Sequence, residues 1–179
     1  YSDCALGTDC TDCGDRSSTA SATAPETALC ITRPVIVEAA YPGTAVLDAK
    51  GSKRVVSISG TVGVELSGLN ITGGSAGGGD QFSLTPIGGD GGGLLIENAE
   101  ANLKGVAIYK NAAERFAGGL GIFAERVSNF TRCIISENRA SFAGGLALWY
   151  ATANLVQCKF LDNRAQLTQS TQATWADVT

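Results

Sequence analysis

One short pattern, present in three copies, constrains this chain more than any other feature: Gly92-Gly-Leu94-Leu-Ile96, Gly118-Gly-Leu120-Gly-Ile122 and Gly144-Gly-Leu146-Ala-Leu148 recur at intervals of 26 and 26 residues. Between and after them run Leu103-Lys-Gly-Val106-Ala-Ile108, Phe130-Thr-Arg-Cys133-Ile-Ile135 and Leu155-Val-Gln-Cys158-Lys-Phe160. Each block closes on Asn-x-Ala, at Asn111, Asn138 and Asn163. Apolar residues two apart, punctuated by Gly, Asn and Ser, describe short strands and sharp corners rather than helices. A unit of about 25 residues is too small to bury its own inner face, so successive units must stack.

Stacking as coils makes explicit columns. Leu94, Leu120 and Leu146 form one, and Ile96, Ile122 and Leu148 another; Val106, Cys133 and Cys158 form a third, and Ile108, Ile135 and Phe160 a fourth. Asn111, Asn138 and Asn163 fall at one corner, where Asn tolerates left-handed backbone and can bond to the next Asn in the stack. Upstream, Leu66-Ser-Gly-Leu69-Asn-Ile71, Val56-Ser-Ile58, Val46-Leu47 and Val35-Ile-Val37 continue the pattern. The expected fold is therefore all-β, a parallel β-helix of about five to six coils over residues 29–165. A Gly-rich insertion loop spans 73–93, and a polar tail covers 166–179.

Across residues 92–165 the Gly-Gly-Leu-x-Ile elements and Phe160-Leu-Asp-Asn163 resemble the GGA-I and FxxN repeats of chlamydial polymorphic outer membrane proteins. Ile108 and Ile135 stand where that family has Phe. More broadly, residues 29–165, including Val46-Leu-Asp-Ala-Lys-Gly-Ser-Lys-Arg54, resemble the right-handed parallel β-helix of pectin-lyase-like proteins. The first resemblance implies a surface-exposed or adhesive region, and the second implies contact with polysaccharide.

The first 28 residues differ in kind. They hold Asp3, Asp9, Asp12, Asp15 and Glu26 against Arg16, a balance of −4 that equals the net charge of the whole chain. Four of the six cysteines, Cys4, Cys10, Cys13 and Cys30, lie in this leader or at its edge. Such a cluster in a segment poor in apolar residues reads as a disulfide-stapled cap. Four thiolates holding zinc are the alternative, and Asp9, Asp12 and Asp15 offer hard oxygen ligands to Ca²⁺. The sequons Asn70-Ile-Thr72 and Asn129-Phe-Thr131 favour a secreted or cell-surface chain. The chain begins at Tyr1 and contains no Met, which points to a processed chain or a fragment.

With no His in the sequence, Ser/His/Asp, Cys/His and His-ligated zinc chemistry are excluded. The body beyond the leader is electrically neutral, so nucleic acid is not an expected partner. No apolar run approaches the ~20 residues of a membrane span. Alternation along the third GG strand and the one before it turns Phe123 and Trp149 outward, with Tyr150 beside Trp149. Flat aromatics on a stiff surface suit sugar rings or a protein partner, unless the tail containing Trp175 folds back over them. Asp48, Lys53 and Arg54 are the compact charged cluster that a polysaccharide lyase or epimerase acting on uronate polymers would use. Arg139 and Arg164 form a second basic column. Cys133 and Cys158, on adjacent coils, are close enough for a disulfide, or pack as free thiols. The favoured expectation is a non-catalytic extracellular β-solenoid for adhesion, structural assembly or glycan binding. Its partners would be glycans or other extracellular subunits, including end-to-end assembly through an uncapped end.

Overall fold

A computed structural model of the chain describes residues 27–60, 63–77 and 89–166. Among them the short apolar runs form nineteen strands and no helix, wound into five rungs. The first rung holds β1 (Thr27–Ile31), β2 (Val35–Glu38) and β3 (Ala45–Asp48). The second holds β4 (Arg54–Ser59), β5 (Val64–Ser67), β6 (Leu69–Thr72) and β7 (Ser75–Ala76). The third holds β8 (Leu94–Glu97), β9 (Ala101–Lys104), β10 (Ala107–Tyr109) and β11 (Ala112–Ala113). The fourth holds β12 (Leu120–Phe123), β13 (Val127–Thr131), β14 (Ile134–Ser136) and β15 (Arg139–Ala140). The fifth holds β16 (Leu146–Trp149), β17 (Thr152–Val156), β18 (Lys159–Leu161) and β19 (Arg164–Ala165).

Equivalent strands pair in parallel from rung to rung, giving sheets β1-β4-β8-β12-β16, β2-β5-β9-β13-β17, β3-β6-β10-β14-β18 and β7-β11-β15-β19. The registers are those the repeat dictates: Leu94 opposes Leu120 and Leu120 opposes Leu146, while Ile108 opposes Ile135 and Ile135 opposes Phe160. The inward residues make one continuous core running through every rung. Each fully buried Leu, Ile or Phe in it is worth roughly 1.5–3 kcal/mol.

The asparagine column is a hydrogen-bonded ladder. Asn111 Nδ2 donates to Asn138 Oδ1 at 3.0 Å, and Asn138 Nδ2 donates to Asn163 Oδ1 at 3.0 Å. The backbone N–H of Asn111 and Asn138 donates to the same two oxygens, and each Nδ2 also reaches a carbonyl one rung back, Ile71 for Asn111 and Ile108 for Asn138. The left-handed residue at this corner is not the Asn but the one before it: Lys110, Glu137 and Asp162 have φ of 54°, 54° and 52°. In the second rung Gly73 takes that place and Gly74 takes the ladder position, donating its N–H to Asn111 Oδ1.

The paired glycines serve close approach rather than backbone freedom. A Cβ on Gly118 would stand 2.2 Å from the Arg139 carbonyl oxygen, and one on Gly144 would stand 2.4 Å from the Arg164 nitrogen. Strand ends of the fourth sheet lie directly against these glycines, which fixes the size of each rung. Two boundaries move from the sequence reading. The first rung begins at Thr27, inside the segment assigned to the leader. The insertion is narrower than 73–93, because Ser75–Ala76 is a strand and Gly92 and Gly93 already bond to the next rung.

Candidate functional site

Direction along a strand is set by alternation, but exposure depends on what lies alongside. Phe123 does oppose Trp149 in register on the outer face, yet it is only 8% exposed, which corrects its expected place in a surface patch. Its ring lies over Gly121: the Gly121 Cβ position is 3.1 Å from Phe123 Cε2, with Leu95 Cδ1 and the Ala117 Cβ close by. The glycine leaves room for the ring to fold back into a gap between neighbours.

The surface patch is built instead from Trp149, Tyr150 and two residues the sequence reading missed. Phe116 and Phe142 stack one rung apart with centroids 4.7 Å apart and planes 25° apart. Trp149 stands 6.3 Å from Phe116 and 6.0 Å from Tyr150, the latter edge-on. Trp149 is 36% and Tyr150 82% exposed. The signal was present in Phe116-Ala-Gly-Gly-Leu120 and Phe142-Ala-Gly-Gly-Leu146, whose phenylalanines share the 26-residue interval of the glycines. Offset-stacked and edge-on aromatics of this kind present apolar faces and one phenolic hydroxyl on a rigid backbone.

Beneath the patch lies a buried charge cluster. The fully buried Asp90 accepts a bond from Arg115 Nε at 3.0 Å, a second from Arg115 Nη2, and a third from the Phe116 N–H at 3.1 Å. Arg115 sits 5.3 Å from the Phe116 ring. Arg54, also buried, donates to the carbonyls of Asp90 and Gly91 and to Thr27 Oγ1. Burial pushes the half-buried Glu97 carboxyl above its ordinary range, with Arg54 pulling it down and Asp90 pushing it up. The cluster therefore pins the end of the insertion to the stack and sets the position of Phe116.

That arrangement dismantles the charged triad of the catalytic alternative. Arg54 is committed to the interior, whereas Asp48 is exposed and its Oδ1 accepts the Lys50 N–H in a local turn. Lys53 is half-buried, and its carbonyl accepts the Ser75 N–H. Arg139 and Arg164 do stack in register, but their groove also holds Glu137 and Asp162, so it is mixed in charge.

Cys133 and Cys158 are free thiols, which decides against the bond their spacing allows. Parallel neighbours point the same way: Cys133 Sγ donates to the Leu103 carbonyl at 3.6 Å and Cys158 Sγ to that of Phe130 at 3.4 Å. Burial pushes the Cys133 thiol up to about 11. Of the leader cysteines only Cys30 falls within the described residues, half-buried on β1 opposite Ser57. Cys4, Cys10 and Cys13, and the Ca²⁺ ligands Asp9, Asp12 and Asp15, lie outside them, as does Trp175. The sequon asparagines are both engaged through Nδ2, Asn70 with the Gly43 carbonyl and Asn129 with Asn102 Oδ1. Asn154 Nδ2 extends the latter into a second, outer ladder. Among the described residues no helix is long and apolar enough to cross a membrane. No family model, no curated protein and no solved structure matches the chain.

Proposed function

We propose that this chain is a non-catalytic extracellular β-solenoid that binds glycan through the Phe116, Phe142, Trp149 and Tyr150 patch, in the service of adhesion or structural assembly. The observation that carries the reading is the aromatic group itself: Trp149 ends strand β16, Tyr150 follows it, and Phe116 and Phe142 stack in the turns before β12 and β16, where backbone bonds from Gly91 to Phe116 and from Phe142 to Arg115 hold neighbouring rungs together. Rigid rings lose little entropy on binding, and Trp and Tyr dominate recognition sites for that reason. A cell-surface or secreted setting, a disulfide-bonded leader, glycosylation at Asn70 or Asn129, and kinship with pectin-lyase-like or chlamydial repeat proteins belong to the same proposal. The lyase or epimerase alternative lacks its arginine, since Arg54 points away from solvent.

Isothermal titration calorimetry with cellohexaose, chitohexaose and heparin tests the reading. Saturable binding of at least one of them, lost in Trp149→Ala, is the expected outcome. Unchanged binding to all three in Trp149→Ala and Tyr150→Ala sinks the aromatic patch. Release of unsaturated product from polygalacturonate would overturn the non-catalytic assignment.

A further inference from the structure

The fourth sheet carries two arginines in one outward column. Arg139 and Arg164 oppose each other in register on β15 and β19, about 4.8 Å apart along the stack as neighbouring strands are. Both side chains are exposed, and among the described residues neither guanidinium makes a hydrogen bond or an ion pair. Like charges set directly opposite each other destabilise a sheet. The acids alongside leave both guanidiniums unpaired: Glu137 faces Lys110 at 4.0 Å, and Asp162 pairs with neither arginine. An anion placed between the two guanidiniums removes that repulsion.

Space for it is present, because Arg139 borders two hollows. One, of about 530 Å³, lies among Lys110, Glu137, Arg139, Asp162 and Arg164. The other, of about 450 Å³, includes Ala112, Ala113 and Ala140 in its lining. Ala112 is the third-rung partner of Arg139, so no long side chain covers the guanidinium from the rung below. A carboxylate has two oxygens and satisfies one guanidinium fork. A sulfate or phosphate monoester has three terminal oxygens and accepts N–H bonds from two forks at once. Glu137 and Asp162 line the same hollow, and their charge penalises an anion that extends beyond the two arginines. The arrangement therefore selects a compact oxyanion over a polyanion.

We propose that Arg139 and Arg164 form a binding site for the tetrahedral oxyanion of a sulfate or phosphate monoester, held by one guanidinium fork from each of two successive rungs. The Phe142 ring follows Arg139 by three residues, but the oxyanion site needs none of its atoms. It stands whether or not the aromatic patch binds glycan.

Nuclear magnetic resonance of the ¹⁵N-labelled full chain at low ionic strength, following the arginine Nε–Hε signals, tests it. N-acetylglucosamine 6-sulfate and N-acetylglucosamine 6-phosphate are the probes, with unmodified N-acetylglucosamine as the control. Saturable shifts of the Arg139 and Arg164 signals with at least one ester, and none with the control, are expected; the tighter ester names the anion. Affinity should fall roughly tenfold or more in Arg139→Gln and in Arg164→Gln, in line with the loss of a charge-assisted pair. Both positions are exposed, so circular dichroism of these variants should match that of the parent. Arg139→Lys keeps the charge and loses the fork, and it should bind more weakly than the parent. No saturable shift with either ester overturns the proposal, as do equal shifts at the exposed Arg126 and Arg132, which would show unspecific attraction. Full affinity in Arg139→Lys refutes the two-fork geometry.

Discussion

Replacing Asp90 by Ala probes the one fully buried carboxylate among the described residues. The substitution removes three bonds, two from Arg115 and one from the Phe116 N–H, while leaving the Asp90 carbonyl in place for Arg54. Deleting one partner of a buried ion pair costs 3–5 kcal/mol in general, because the other charge stays behind in a low-dielectric site. Arg115 makes further contacts, including the Phe116 ring, so the lower end, about 3 kcal/mol, is expected here. For a chain of this size that corresponds to a fall in Tm of roughly 6–12 °C. Urea unfolding followed by circular dichroism and Trp emission reads the cost. The double variant Asp90→Ala with Arg115→Met should recover most of it, since it also removes the guanidinium that the single variant strands, while Arg54 keeps the Asp90 and Gly91 carbonyls. A loss below about 1 kcal/mol, or a double variant no more stable than the single one, would show that the pair is not the pin described above.

Other consequences concern the ladder, the glycines and the core thiol. Asn138→Ala should cost about 2–4 kcal/mol in chemical denaturation by stranding the buried Asn111 N–H and the Ile108 carbonyl, and more than Asn163→Ala at the half-buried end. Gly118→Ala forces a Cβ against the Arg139 carbonyl and should abolish cooperative unfolding or cut Tm sharply; Gly105→Ala, in open space at φ +60°, should cost only about 1 kcal/mol. Above pH 9 an unfolded Cys133 thiol ionises, while the folded one keeps its proton to about 11. The unfolded state then binds fewer protons, so stability should fall across that window and lose this slope in Cys133→Ala. A pH-independent difference between the two proteins would refute the burial argument.

The repeat made the fold readable because each inward position is reinforced by its equivalents one rung away, so Leu94, Leu120 and Leu146 carry the same message three times. The core columns and the asparagine column followed from spacing alone. Exposure was less legible, since it depends on lateral neighbours: the burial of Phe123 turns on the missing side chain of Gly121, and that of Arg54 on Asp90, 36 residues away. Phe116 and Phe142 lie outside the strands, where alternation makes no statement, and only their shared interval marked them. The Asp90 cluster had no signal, because an acid next to an insertion and an arginine in Glu-Arg-Phe look like ordinary surface charge until the rungs are stacked.

The inner asparagine ladder has one further consequence. A core of Leu, Ile and Val forbids a one-residue slip, which would turn its inward face outward, but a strand slid by two residues still finds apolar company. The amides of Asn111, Asn138 and Asn163 are not indifferent: sliding the third, fourth or fifth rung against its neighbour in this ladder by two residues strands two donors and an acceptor. They act as index pins, weak in what they add to adhesion between rungs and decisive in what they forbid. Neighbouring rungs are thereby held in one register along the whole asparagine corner.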